Sequence, residues 1–173
     1  MENTDRPVAD LDDVDLQLLE RIEDDFDVNL EELSEELGFS KSAIHYRLNK
    51  LREKDVITDV SADLDPLAFG LNMMMLSDVS VTHDTGYADQ IGSKLTDIDG
   101  VQQVYYTMGD VDFVVVSRVQ NRDQMNRLVD DIVAIDGVNE TSSQFVMKEL
   151  KTDSNTVADL SEDMKEAVVT ADE

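Results

Sequence analysis

The chain has 173 residues, 40 of them acidic and only 14 basic, for a formal net charge of −26, with 41% apolar residues and no cysteine. That length suits one or two domains with cores of their own, and the missing cysteines exclude disulfides, thiolate nucleophiles and thiolate-held metals. No apolar run approaches bilayer length and the start, MENTDRPVADLDD, is acidic, so a cytoplasmic protein with no membrane association is expected.

Residues 1–10 are expected to be mobile. Leu11, Val14, Leu18, Leu19 and Ile22 then recur at helical spacing, with Asp12 and Asp13 at the helix start, where the helix dipole favours anions. The aspartates lack the glycine and terminal glutamate of a calcium loop, so no metal is expected there.

The stretch Asn29–Ile57 carries two more apolar stripes, Leu30, Leu33 and Leu37, then Ile44, Leu48 and Leu51. Asn29 stands as an N-cap answered by Glu32, Gly38 supplies a left-handed stop, and Ser40 caps the next helix. Helix, glycine turn and helix is the DNA-reading helix-turn-helix pattern. The stripe leaves Ser42, Tyr46, Asn49 and Lys50 opposite the core, flanked by Lys41, His45, Arg47 and Arg52. Such donors suit double-stranded DNA, with Ser42, Tyr46 and Asn49 near bases, Lys41, Arg47, Lys50 and Arg52 mainly on phosphates, and Ser40 at the helix start. Charge supports that partner. Residues 41–54 carry 5 bases and 1 acid, whereas residues 1–40 carry 15 acids and 2 bases and residues 55–147 carry 16 acids and 4 bases. A positive island on the proposed reading helix of so acidic a chain points to a polyanion.

After this helix, DVITDVSADLDPLAFG alternates enough for a short wing hairpin, and Pro66 with Gly70 marks the exit from a first domain of residues 11–65. Residues 66–151 change to strand-like runs: LNMMMLSDVSV, VQQVYYTM, FVVVSRV and SSQFVMKEL read as strands, TGYADQIGSKLTDI and RDQMNRLVDDIVAI as helices. The order βαββαβ is reinforced by an internal repeat, Ile98-Asp99-Gly100-Val101 and Ile135-Asp136-Gly137-Val138, and predicts an α+β chain with a ferredoxin-like second domain. Two helices cover one sheet face only. Phe113–Val116 and Met73–Leu76 are apolar at consecutive positions, so the bare face calls for homodimerisation, with tetramers or octamers left open. The methionine run reads as core filler rather than a cofactor box, and no cofactor is expected. Residues 152–173 form an acidic C-terminal tail, either disordered or a short amphipathic helix on Leu160, Met164, Ala167 and Val168.

Over residues 11–151 the chain resembles the Lrp/AsnC "feast or famine" regulators. The resemblance rests on Leu11–Asp15, on Leu33–Ser40, on Arg47–Leu51, on Gly109-Asp110-Val111-Asp112 and on Gly137-Val138. It implies a transcription regulator whose second domain senses a small effector, typically an amino acid. Gly109, Asp110 and Asp112 are the implied effector contacts, followed by Thr141 and Ser143; Val111 stands where that motif usually has an aromatic. Two reading helices on a symmetric dimer imply a pseudo-palindromic operator. Two alternatives stay open, a metabolite-sensing adaptor that does not bind DNA, and an enzyme like the sirohaem decarboxylases of similar fold. The second would need a basic, histidine-bearing pocket, and the second domain offers only His83 and a few arginines. Finally, the dispersed acidic coat with 7 lysines resembles proteins of extreme halophiles, in which molar salt screens such charge within a few ångströms.

Overall fold

The computed structural model describes residues 9–25, 28–60, 62–152 and 155–170. They fall into two compact units, one gathering the described parts of Met1–Ala62 and Thr152–Glu173, the other Asp63–Lys151. Most of the stretch expected to be a mobile N-terminus, residues 1–8, lies outside the described residues.

The first unit is built on three helices, α1 (Asp13–Asp24), α2 (Leu30–Leu37) and α3 (Lys41–Glu53). Each start is set by a side chain that accepts backbone N–H groups otherwise left bare. Asp12 accepts from Asp15 N–H in a reciprocal capping box, Asn29 from Glu31 and Glu32, and Ser40 from Ala43. Gly38, at φ 72°, ends α2 in the left-handed conformation and aims the chain into α3. The three apolar stripes meet in one core of Leu16, Leu18, Leu19, Leu33, Ile44 and Leu51. Asn29's partners lie in the first turn; the answering bond expected from Glu32 is not formed.

The expected wing hairpin does not form among the described residues of its segment. Residues 58–60 and 62–65 are irregular, and the chain goes on into a 3-10 turn, Pro66–Phe69, started by Asp65 and closed by Gly70. Pro66 has no N–H to give a ladder, and its fixed φ favours the turn.

The second unit is a four-stranded antiparallel sheet, β1 (Met73–Val81), β2 (Val101–Tyr106), β3 (Phe113–Val119) and β4 (Val138–Phe145), in the order β2-β3-β1-β4. Helices α4 (Tyr87–Thr96) and α5 (Arg122–Val133) cover one face. Met75, Val79 and Val81 of β1 and Phe113, Val115 and Val119 of β3 pack there against Ile91, Leu95, Leu128 and Ile132. Alternation along the strands sends Leu76, Tyr105, Val114 and Val116 to the other face, where Leu76 and Tyr105 are exposed.

The sequence repeat is a structural repeat. Gly100 and Gly137 stand at φ 90° and 99°, and in both copies the valine N–H closes on the isoleucine carbonyl at 3.1 Å. β4 therefore starts at Val138, earlier than the serine-led run suggested. It ends at Phe145, which pairs with Met75 of β1, and past that pair Val146 N–H donates to the Met74 carbonyl at 3.0 Å.

Candidate nucleic-acid interface and sensing turn

Ile44 and Leu51 bury one side of α3 completely, which fixes the rotation of the helix and displays the other side. Ser42, His45, Tyr46, Lys50 and Arg52 are exposed, Tyr46 by 59%, and Asn49 is half-buried. Side chains on this surface hold one another. Ser40 Oγ lies 3.1 Å from Ser42 Oγ, the Asn49 amide 3.2 Å from His45 Nδ1, and Arg52 donates to Asn49 Oδ1 at 3.4 Å. Lys50 sits 5.2 Å over the Tyr46 ring, and a side-chain hydrogen bond with Tyr46 holds its ammonium pKa above the ordinary value. Lys41 is paired with Glu31 at 2.6 Å, which depresses the glutamate's pKa, but both ends of that pair lie in solvent.

Arg47 is placed differently from the rest. Its guanidinium donates to Asp12 Oδ2 at 2.8 Å and Asp15 Oδ1 at 2.7 Å, stands 5.9 Å from the Phe39 ring centre, and leaves only 27% of the side chain exposed. The bonds to Asp15 and then Asp12 raise its pKa further. Partial burial pushes the Asp12 carboxyl up, but the Asp15 N–H and Arg47 outweigh it and the carboxyl titrates below its usual range. The expected phosphate contact is thus an internal brace: Arg47 bolts the reading helix to the N-cap of α1. Helical spacing placed it on the flank; the carboxylates come from residues more than thirty positions earlier.

In the second unit, the motif Gly109-Asp110-Val111-Asp112 is the turn between β2 and β3. Gly109 and Asp110 are exposed, and a side chain at Gly109 would meet nothing within 4 Å. Asp112 is not open to a ligand in the same way. Its Oδ2 accepts Val81 N–H at 2.8 Å, its Oδ1 lies 2.6 Å from His83 Nε2, and the side chain is 15% exposed. It pins the turn to the end of β1. Thr141 pairs with Val79, which pairs with Phe113 and so with Tyr106, placing Thr141 in the sheet row next to the turn. Its Oγ1 is buried with no hydrogen-bond partner. Ser143 lies one row further in, its Oγ 2.8 Å from that of the fully buried Ser77.

Residue reasoning missed the ring cluster behind this turn. His83 stacks on Tyr87 with centroids 4.7 Å apart, and Tyr87 Oη lies 2.6 Å from Tyr106 Oη. That hydrogen bond, more than burial, pushes the Tyr87 phenol up to about 12. A polar cleft of ≈ 430 Å³ opens beside it, lined by Thr82, Asp84, Tyr87, Lys94, Asp136 and Asn139. No spacing in the sequence signals this cluster, because His83 comes from the loop after β1, Tyr87 from α4 and Tyr106 from β2.

A helix-turn-helix unit with a donor-rich, cationic reading helix, followed by a ferredoxin-like unit with an exposed glycine turn, is the plan of a transcription regulator. Residues 11–58 match the profile of a winged helix-turn-helix DNA-binding domain and residues 77–156 that of the Lrp/AsnC ligand binding domain. The HTH-type transcriptional regulator FL11 of Pyrococcus furiosus is 35% identical over 138 residues, covering 80% of this chain and 90% of its own. Among solved structures, a transcriptional regulator of Neisseria meningitidis in complex with L-Met matches with TM-score 0.80 at 22% identity, covering 84% of this chain and 96% of that one. A feast or famine regulatory protein of M. tuberculosis complexed with L-methionine matches with TM-score 0.76 at 25% identity, covering 85% and 99%. The chain belongs to the Lrp/AsnC family of transcription regulators.

Proposed function

We propose that the chain reads a pseudo-palindromic operator as a homodimer, that an amino acid modulates this binding, and that it acts by binding alone, without catalysis. The observation that carries the reading is the display on α3: the net-positive segment of the chain has its apolar side fully buried and its Ser42, Tyr46, Lys50 and Arg52 side in solvent. Ser42, Tyr46 and Asn49 contact base edges, Lys41, Lys50 and Arg52 hold phosphates, and Arg47 positions the helix. Dimerisation uses the uncovered sheet face around Leu76 and Tyr105, since an apolar sheet face in water favours burial.

The amino-acid reading draws support from the L-methionine carried by the two structural relatives. Exposed Asp110 at the Gly109 turn offers a carboxylate to an ammonium group, and the glycine allows close approach of backbone N–H groups. Asp112 and Thr141 shape the turn from behind.

Chromatin immunoprecipitation in cells grown on rich and poor nitrogen supplies the operator, and binding titrations on that duplex test the roles. Asn49→Ala should relax preference at one base position by about 1–3 kcal/mol, while Lys50→Ala should weaken all sequences alike and lower the salt slope by about 1. A flat chromatin profile in both conditions would favour the adaptor reading instead.

A further inference from the structure

The segment after β4 returns to the DNA-binding unit. Val157 is 7% exposed inside the core of α1–α3, and three successive backbone N–H groups converge on one carboxylate: Thr156 on Glu23 Oε1 at 2.8 Å, Val157 and Ala158 on Glu23 Oε2 at 2.8 and 3.3 Å. Ser161 then caps a helix, α6 (Glu162–Val169), by accepting Met164 N–H; Val168 and Val169 pack on the same core, and Lys165 Nζ lies 3.3 Å from Glu20 Oε2. Glu20 and Glu23 are one turn apart on α1, so one helix face supplies an anion for the backbone, an anion for the lysine and an apolar seat between them. Val157 and α6 lie after residue 156, where the match to the family's ligand-binding domain ends.

We infer that this face of α1 is a docking surface for the chain's own residues 155–169, and that docking steadies the reading helix through α1. The route lies within one unit. The C-terminal half of α1 holds the returning segment through Glu20 and Glu23; its N-terminal end holds α3 through Asp12, Asp15 and Arg47. A short helix is stiff over three turns, so loosening one end changes how firmly the other is held.

Amide hydrogen exchange on the full-length protein decides both parts. Glu23→Gln should raise exchange at Thr156, Val157 and Ala158 by about tenfold or more, raise it measurably along Ile44–Leu48 of α3, and leave β1 and β3 unchanged. Val157→Ala, a milder change at the same seat, should give the same pattern if Glu23→Gln folds poorly. Unchanged protection at residues 156–158 in both variants overturns the docking surface. Release confined to 156–158, with α3 as protected as before, overturns its link to the reading helix.

Discussion

At the residue scale, Arg47 separates what a cation can do from what it does. One guanidinium nitrogen, Nη1, meets both carboxylates while the delocalised plane stands 5.9 Å from the Phe39 ring centre, and lysine, a point charge on a flexible stem, would keep the charge but not that plane. Arg47→Ala should cost about 1–3 kcal/mol of stability, by leaving two partly covered carboxylates without their donor, and Arg47→Lys should recover only part of it. Chemical denaturation of the DNA-binding unit measures both. A stable Arg47→Ala protein that loses DNA affinity alone would return this residue to the phosphate backbone.

The tyrosine pair in the second unit offers an optical test. Tyr87's folded pKa is raised to about 12 from an ordinary 10.0 by its bond to Tyr106. A phenol is neutral below its pKa, so the pair stabilises the fold fully below pH 10 and the contribution fades as pH rises toward 12. Absorbance titration at the phenolate band should show one late-ionising tyrosine that moves back toward the ordinary value in Tyr106→Phe. Titration of all tyrosines together in the unsubstituted protein would contradict the pairing.

At the scale of elements, most of the chain was legible because its signals are local. A stripe at three and four residues, an N-cap and a left-handed glycine define α1, α2 and α3 without reference to anything distant. Gly137 shows the same for a turn that a repeat announces. At φ 99°, with Ile91 Cδ1 3.1 Å from where a Cβ would stand, it admits no side chain without strain. Gly137→Ala should therefore destabilise the second unit by about 1–3 kcal/mol, seen as a lower urea midpoint with the slope unchanged. Where elements failed to match the reading, pairing was the cause. The wing depends on a ladder that Pro66 and its neighbours do not build, and β4 begins with Val138 paired to Val81 of β1, ahead of the serine-led run.

At the scale of the whole molecule, a charge of −26 repels DNA at long range while a few cations on α3 attract it at short range. Rising salt weakens both. We expect DNA affinity to fall less steeply with KCl than the number of phosphate contacts dictates, and to hold into molar salt as the acidic body is screened to a Debye length of about 3 Å. Equilibrium binding from low to molar KCl measures this; a plain steep fall throughout would sink the idea. Assembly belongs to the same scale. Leu76→Asp on the open sheet face should shift sedimentation toward monomer without unfolding the subunit, since that side chain points away from the helix-covered core.

The two-unit plan, the βαββαβ order, the reading helix and which of its sides faces away from the core were all legible along the chain, because periodicity, capping and charge blocks are short-range properties written in consecutive residues. Three features came into view with folding alone: Arg47 is a brace, Asp112 is held by His83 and Val81, and the acidic C-terminal segment seats Val157 in the first core. Each of those depends on partners far away along the chain, up to 134 positions apart for Glu23 and Val157. A carboxylate's occupancy by a distant cation or N–H group leaves no mark on the spacing around it, and neither does the burial of one valine in an acidic tail.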